Sequence, residues 1–309
     1  MAGVTFTRRT LLGVAALLPL PGCAEQATPP RSTRPPSPPP SGPPTTTTTV
    51  ARHDRLAELE TAYGARLGVF ASGTGGTVEH RADERFAFCS SFKGIAAAAV
   101  LHRNPTAHLD TVVTYTEADL LPNATVTPRH VATGMTVRDL CDAAVRHSDG
   151  TAGNLLLRDL GGPAELTAFA RELGDTVTRM DRTEPHITEA TPGDPRDTTS
   201  PRAFGLDYRK IVVGDVLPGD KRAFLRDLLA RNATEAGARR IRAGVPAGWT
   251  VADKTGTGGY GTIVDVGIVW PPSGAPLVVS VMSSKQAEDA EYDQAIIAEA
   301  TAYVVATLT

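Results

Sequence analysis

Apolar residues recur along the chain at two spacings, one typical of helices and one typical of strands. Between residues 54 and 64, Leu56, Leu59 and Tyr63 fall on one helical face, and the stretch "TVRDLCDAAVRH" repeats apolar positions at i, i+3 and i+4. Shorter apolar runs bounded by glycine or proline predict strands. These runs cover residues 66–72, 77–81, 249–256, 262–271 and 275–284.

The order of these elements predicts an α/β fold of the α+β type. Strands lie near both ends of the folded part, and helical patterns dominate between them. We therefore expect an inserted all-helical lobe over about 88–232 and a sheet lobe made of about 51–87 and 233–309. Turns such as "GTGGYG" and "PPSGAP" are too short for parallel crossovers, which favours a mostly antiparallel five-stranded sheet flanked by helices. A cleft between the lobes is the expected place for a site.

The segment from Glu288 to Leu308 predicts a last helix. Its shared face would carry Tyr292, Ala295, Ile296, Ala300 and Tyr303. Two earlier segments, "GPAELTAFARELG" and "SPRAFGLDYRKIV", carry proline where the first turn of a helix accepts it.

The first 50 residues do not have the pattern of a folded core. A twin arginine, Arg8-Arg9, precedes an apolar stretch that is too short to span a membrane, which is the arrangement of an export signal. The arginines resemble a Tat motif and "LPGC" resembles a lipobox, so residues 1–23 are a signal peptide that ends either in an acylated Cys23, a lipid anchor to the membrane, or in ordinary cleavage. Residues 24–50 form a Pro/Thr-rich linker. We expect an exported protein, either a cell-surface lipoprotein or a secreted or periplasmic one.

Composition excludes several classes of protein. The formal net charge of −3 leaves no basic footprint, so no nucleic-acid partner is expected. Three cysteines are too few for a disulfide scaffold, and the seven histidines are scattered without the spacing of a metal site. We expect no metal and no cofactor, and we expect a monomer.

A lysine opens an otherwise apolar helix pattern in "CSSFKGIAAAAV", residues 89–100. Ser90 and Lys93 are three residues apart and face the same way on a helix. Burial lowers the pKa of a lysine, which can then activate a serine nucleophile, and a helix N-terminus offers N–H groups to a developing oxyanion. Ser-x-x-Lys alone is common on helices, so Lys93 either extends to solvent or is held inside for chemistry.

Three further stretches make the pattern specific. With Ser90-x-x-Lys93, the tripeptides Ser148-Asp149-Gly150 and Lys254-Thr255-Gly256 resemble, in order and spacing, the motifs of the penicillin-recognising serine enzymes. The stretch "MDRTEPHITEATPGDPRDTT" resembles the Ω-loop of class A β-lactamases, with Arg-x-Glu-Pro at residues 182–185. The resemblance covers residues 51–309 and implies the fold shared by serine β-lactamases and DD-peptidases.

The resemblance implies four catalytic residues. Ser90 would attack the lactam carbonyl, with Lys93 as its proton acceptor or as part of a relay. Ser148 would pass the proton to the lactam nitrogen, and Glu184 would activate the water that hydrolyses the acyl-enzyme. The sequence leaves open whether Lys93 or Glu184 is the base for acylation.

A second group of residues is implied to bind the substrate. The backbone N–H groups of Ser90 and Thr257 would form the oxyanion hole. Arg240 is the expected arginine near the substrate carboxylate, because Ile263 stands at the other position that the family uses; the alternative is a solvated arginine. The remaining substrate-binding residues are Gly150, Thr188, Lys254, Thr255 and Gly256.

Four residues are implied to have structural roles. Arg182 and Asp197 bracket the Ω-loop and are expected to pair across its neck. Asp149 is expected to brace its turn through backbone hydrogen bonds, and Asn154 to contact Glu184 or its loop.

The sequence departs from the family pattern near the expected site. Gly150 stands where the family usually has an asparagine, which predicts open space and altered handling of mechanism-based inhibitors. Thr188 stands where an asparagine usually helps to hold the deacylating water, which predicts slower deacylation of some substrates. Asn123 takes the place of an aromatic gate. Cys89 and Cys141 lack the family's usual partners, so we expect two buried free thiols.

We expect hydrolysis of the β-lactam amide bond of penicillins and some cephalosporins through a serine acyl-enzyme, which would give antibiotic resistance. The alternatives are a penicillin-binding DD-peptidase, a β-lactam sensor that acylates without turnover, and a lipid-anchored binding module without activity. A peptidase has no use for Glu184, and a sensor sits on a multi-pass membrane protein, so the motif set favours the β-lactamase.

Overall fold

A five-stranded antiparallel sheet forms the centre of the computed structural model, which describes residues 53–309. The strands are β1 (Arg66–Gly73), β2 (Gly76–His80), β3 (Phe86–Ala87), β4 (Val112–Val113), β5 (Met135–Thr136), β6 (Thr198–Thr199), β7 (Thr250–Thr257), β8 (Ile263–Trp270) and β9 (Leu277–Ser284). The large sheet has the order β2-β1-β9-β8-β7, and β3 pairs with β6 and β4 with β5. The expected signal peptide, residues 1–23, and the linker, residues 24–50, lie outside the described residues, as does Cys23.

Helices fill the sequence between the two halves of the sheet and also flank it. They are α1 (Asp54–Tyr63), α2 (Phe92–Arg103), α3 (Val137–Arg146), α4 (Gly150–Leu160), α5 (Pro163–Glu172), α6 (Pro201–Val212), α7 (Gly219–Ala230), α8 (Glu235–Arg239), α9 (Ile241–Gly244) and α10 (Ala295–Leu308). Side-chain oxygens of Thr136, Asp149 and Ser200 cap α3, α4 and α6, each by accepting a backbone N–H three residues on. The predicted mixed fold with an antiparallel sheet is confirmed.

Alternate residues of the strands enter two different apolar cores. Leu67 and Val69 of β1 pack with residues of α1 and α10, whereas Phe70 enters the opposite core, which contains α2 and α6. Because helices cover both faces, the central strands β8 and β9 read as nearly continuous apolar runs.

Helix α2 is enclosed on every side. It packs against α3, α4, α5, α6 and α7, and residues 92–101 are all buried. Lys93 has no exposed surface, so the alternative in which it extends to solvent is wrong. A charged group is therefore held inside the protein, at the start of this helix.

The last helix begins later than the apolar pattern predicts. α10 begins at Ala295, because the carboxylate of Asp293 accepts the Ala295 N–H at 2.9 Å. The backbone of Glu288 is held elsewhere, since its carbonyl accepts the N–H of Tyr260 at 3.0 Å. Tyr292 consequently lies outside the helix and is 44% exposed.

Within residues 53–309, the helices are all too short or too polar to cross a membrane. The same residues contain no group of three or more histidine, cysteine, aspartate or glutamate side chains arranged to hold a metal ion.

Candidate active site

The 3-10 turn Cys89–Ser91 places Ser90 at the N-terminus of α2. Lys93 Nζ donates a hydrogen bond to Ser90 Oγ at 3.0 Å, as the three-residue spacing predicts. The neighbouring hydroxyl of Ser91 donates instead to the Phe88 carbonyl at 2.6 Å. Ser90 is therefore the serine of this turn that lies beside a base.

Glu184 of the Ω-loop reaches the same hydroxyl from the other side. Ser90 Oγ donates to Glu184 Oε1 at 2.5 Å, and Lys93 Nζ lies 2.7 Å from that oxygen. Asn154 holds the glutamate backbone twice: its Nδ2 donates to the Glu184 carbonyl at 2.8 Å, and its Oδ1 accepts the Glu184 N–H at 3.0 Å. Both candidate bases thus touch the serine.

Burial and mutual attraction set the charge states of this pair. Burial lowers the pKa of Lys93, although the carboxylate of Glu184 opposes the shift. Burial alone would raise the pKa of Glu184, but the Lys93 ammonium and hydrogen bonds from Lys93, Ser90 and Asn123 outweigh it and hold that pKa below its ordinary value. The glutamate is therefore ionised near neutral pH, and the lysine loses its proton more readily than a free lysine does.

Ser148 connects Lys93 to a second buried lysine. The residue lies between α3 and α4 with φ at +56°, a conformation that is uncommon outside glycine. Its carbonyl accepts from Lys93 Nζ at 2.7 Å, and its hydroxyl accepts from Lys254 Nζ at 3.0 Å. The Ser148 hydroxyl thus lies next to two lysine nitrogens, Lys254 Nζ at 3.0 Å and Lys93 Nζ at 3.5 Å.

Lys254 lies on β7 and is fully buried. Its Nζ also donates to the carbonyl of Thr255 at 2.9 Å. Burial, and then the nearby charge of Lys93, lower the pKa of Lys254 to about 7. An anion that binds beside Lys254 would favour the protonated form of the lysine and raise this pKa again.

Arg240 is buried behind the end of β7 rather than solvated. Its guanidinium donates to the Gly256 carbonyl at 2.7 Å and to the Thr257 hydroxyl at 2.7 Å. The hydroxyl of Thr257 accepts that bond and keeps its own proton for another acceptor. Gly256 is needed here because a Cβ on it would lie 2.5 Å from the Phe88 carbonyl. The alternative of a solvated arginine is wrong, since this side chain has no exposed surface.

An ion pair closes the neck of the Ω-loop. Arg182 Nε donates to Asp197 Oδ2 at 2.6 Å, and the other oxygen of Asp197 accepts the N–H groups of Asp181 and Arg182. Asp197 is only 1% exposed, and Arg182 also bonds Glu189. The loop is thus tied at the point where it leaves the fold.

Asp149 ties the loop over residues 119–127 to the start of α4. Its Oδ2 accepts three consecutive N–H groups, from residues 125–127, at 2.8–3.0 Å, and its Oδ1 accepts the Ala152 N–H at 2.9 Å. The carboxylate is fully buried, which gives it the bracing geometry that the sequence suggests.

Two residues differ from their expected surroundings. The hydroxyl of Thr188 donates to the Pro185 carbonyl at 2.6 Å, and its carbonyl accepts the Gly259 N–H at 2.8 Å, so Thr188 ties the Ω-loop to the loop that follows β7. The space beside Gly150 is not open, because Asn123 fills it. Asn123 Nδ2 donates to Glu184 Oε2 at 2.7 Å. No local pattern predicts that contact, which depends on the path of a loop distant in sequence.

Two carboxylates behind Lys254 were also missed. Asp253 and Asp265 are fully buried, and Asp253 Oδ1 lies 2.7 Å from Arg242 Nη2. Asp265 interrupts the apolar run of β8, and this charged position was the sequence signal that could have identified it.

Cys89 and Cys141 are free and buried, as predicted, and burial raises the pKa of each thiol to about 12.

Ser90 lies within hydrogen-bond reach of a lysine and a glutamate, with a second serine and lysine opposite, which is the arrangement of an activated serine nucleophile. The chain belongs to the β-lactamase enzyme family, whose family model matches residues 51–308. Its fold is that of the class A enzymes: it resembles the class A β-lactamase from Clostridium kluyveri DSM 555 with a TM-score of 0.80 and 41% identity, over 82% of this chain and 97% of that one.

Curated relatives are similar over comparable lengths. A β-lactamase of Mycobacterium tuberculosis (strain ATCC 25177 / H37Ra) is 51% identical over 98% of this chain and 98% of its own. The β-lactamase AST-1 of Nocardia asteroides is 54% identical over 82% of this chain and 83% of its own.

Proposed function

We propose that the chain hydrolyses the β-lactam amide bond through an acyl-enzyme on Ser90, which destroys the antibiotic and gives resistance. The observation that carries the proposal is the double contact of Ser90 Oγ, which accepts from Lys93 Nζ at 3.0 Å and donates to Glu184 Oε1 at 2.5 Å. A serine hydroxyl becomes a strong nucleophile when a base lies within hydrogen-bond reach. Here two bases do.

Acylation begins when Ser90 Oγ forms a bond to the lactam carbonyl carbon. The hydroxyl proton passes to Lys93 or Glu184, and the backbone N–H groups of Ser90 and Thr257 stabilise the oxyanion. The C–N bond then breaks as the Ser148 hydroxyl donates its proton to the lactam nitrogen and takes up the proton that Ser90 gave, through Lys93 Nζ, which lies 3.5 Å from Ser148 Oγ and 2.7 Å from Glu184 Oε1. Lys254 Nζ, 3.0 Å from that hydroxyl, favours the charge that develops on it.

The substrate carboxylate binds at the end of β7, against Lys254, Thr255 and Thr257. Arg240 supports this subsite from behind, because its guanidinium fixes the Thr257 hydroxyl as a donor toward the cleft. Gly256 allows β7 to lie close to the Ser90 turn. The carboxylate thus meets one ammonium and two hydroxyl groups.

Deacylation requires Glu184 to activate a water that attacks the ester carbonyl. The glutamate is well placed for this role because it is ionised, buried and directly beside Ser90 Oγ. The water must enter between these two groups. A DD-peptidase or a sensor has no need of such a carboxylate, so its contact with Ser90 favours turnover.

Further parts of the proposal rest on the sequence. The substrates are penicillins and some cephalosporins. The protein is exported through residues 1–23, and Cys23 is either an acylated anchor or is removed with the signal. The folded part is a monomer divided into a sheet lobe, about 51–87 and 233–309, and a helical lobe, about 88–232.

Intact-protein mass spectrometry with benzylpenicillin, followed over time, tests the function. We expect the native protein to consume the drug without a lasting adduct, and Glu184→Gln to retain an adduct on Ser90. Glu117→Gln is the matched control, since it makes the same substitution at an exposed side chain outside the Ω-loop. A native protein that stays acylated for hours would instead be a peptidase or a sensor, and one that never reacts would be a binding module.

A further inference from the structure

The carboxamide of Asn123 occupies the volume that a side chain at position 150 would need. A Cβ added to Gly150 would lie 2.2 Å from Asn123 Oδ1 and 2.5 Å from Glu184 Oε2, far closer than van der Waals contact. The site is therefore filled here from a distant loop, and the missing side chain leaves no void.

The two neighbours of Gly150 hold this loop in place. Asp149 accepts three backbone N–H groups from residues 125–127. Thr151 Oγ1 accepts the Leu121 N–H at 2.9 Å and donates to the Asp119 carbonyl at 3.1 Å. The loop is thus fastened on both sides of Asn123, and its side chain is directed over Gly150.

Asn123 completes the set of groups that holds the catalytic glutamate. Its Nδ2 donates to Glu184 Oε2 at 2.7 Å, while Oε1 faces Ser90 and Lys93. Asn154 holds the backbone of the same residue. Without Asn123, no described side chain would bond Oε2, and the carboxylate would be held through Oε1 alone.

Resting on the proposed function, we propose that Asn123 is a positioning residue for deacylation, in which its amide orients the Glu184 carboxylate and replaces the side chain that Gly150 lacks. A side chain at 150 and the amide at 123 are then alternatives that exclude each other. Gly150→Asn would displace Asn123 from Glu184 in the native background, whereas in an Asn123→Ala background the new amide has room to enter.

The kinetic test uses Asn123→Ala, Gly150→Asn and the double variant, with acylation and deacylation by benzylpenicillin measured separately. We expect Asn123→Ala to slow deacylation about tenfold, the typical effect of losing a hydrogen bond to a charged group, and to change acylation less. The acid limb of deacylation moves to higher pH, because a donor to the carboxylate is lost. Gly150→Asn also slows deacylation, and the double variant recovers most of the rate. Thr125→Ala, on the same loop with an exposed side chain, is the control and stays native.

Two measurements do not depend on turnover. The Glu184 pKa, followed by carboxyl ¹³C NMR, is expected to rise in Asn123→Ala, and the unfolding free energies of the four proteins are expected to be non-additive. Additive effects, with a Glu184 titration that does not change, would overturn the positioning role even in a protein that hydrolyses benzylpenicillin. If the effects of the Asn123 and Gly150 substitutions are non-additive but the protein never hydrolyses benzylpenicillin, the positioning role of Asn123 stands and the β-lactamase function is rejected.

Discussion

Lys93 Nζ and Glu184 Oε1 lie 2.7 Å apart, and neither side chain has exposed surface. A buried ion pair of this kind costs desolvation on both sides, and removing one partner leaves the other charge uncompensated. Both groups also contact the Ser90 hydroxyl, so each lies within hydrogen-bond reach of its proton.

The pair offers a way to identify the acylation base. Glu184→Gln removes the carboxylate that raises the Lys93 pKa, so that pKa falls further and more of the lysine is neutral. If Lys93 is the base, the acid limb of the acylation rate moves to lower pH, and the plateau stays within about tenfold of native. Stopped-flow acylation across pH measures both. A plateau lower by about 10²–10⁴ would assign the base to Glu184.

Substrate capture is expected to weaken as pH rises through about 7. The Lys254 pKa is about 7 in the free protein, so the ammonium that attracts the substrate carboxylate is lost above that pH. The basic limb should appear in kcat/KM, and it should lie at higher pH in kcat, because bound substrate stabilises the charge. Lys254→Arg keeps the charge and should abolish the limb near pH 7. An unchanged limb in that variant would mean that another group titrates there.

The neck of the Ω-loop is expected to contribute to stability. Asp197→Ala removes a buried carboxylate that accepts from Arg182 and from two backbone N–H groups, so we expect a loss of about 3 kcal/mol in the free energy of unfolding. Urea denaturation measures it. Asp194→Ala, which breaks a more exposed pair with Arg196 on the same loop, should cost less than about 1 kcal/mol. Equal losses in the two variants would contradict the assignment.

A buried carboxyl on α6 is expected to make the fold less stable at high pH. Burial, and then the carboxylate of Asp175 through its charge and a side-chain hydrogen bond, raise the pKa of Asp207 to about 9 against the weaker effects of Lys210 and Arg171. Because the pKa of this carboxyl is higher in the folded protein than in the unfolded chain, its contribution to the free energy of unfolding is complete below the unfolded pKa, about 4. The contribution is lost as pH rises through the folded pKa, about 9.

Asp207→Asn should therefore raise the free energy of unfolding at about pH 8 by about 2 kcal/mol and flatten its fall between about pH 5 and 8. Denaturation at both pH values tests this. Asp220→Asn, at an exposed position of α7, should leave the slope as it is. A slope that persists in Asp207→Asn would place the titrating group elsewhere.

Local spacing explains why so much of the site was predictable. Ser90 and Lys93 lie on one turn, and the strands β1 and β7–β9 follow from their apolar runs. The start of α10 was mispredicted because tertiary contacts of Glu288 and a turn at Asp293 overrule a pattern that continues through them. The contact of Asn123 with Glu184 joins residues 61 apart in sequence, which no periodicity encodes.

The left-handed backbone of Ser148 gives the two lysines a common partner. One residue accepts from Lys93 on α2 through its carbonyl and from Lys254 on β7 through its hydroxyl. Lys93 in turn contacts Glu184, so a chain of contacts joins Lys254, Ser148, Lys93 and Glu184. The charges in such a chain influence one another, as the charge of Lys93 does when it lowers the pKa of Lys254. On the proposed function, a substrate carboxylate bound against Lys254 would therefore alter the proton affinity of Lys93, which contacts Ser90, before any bond is broken.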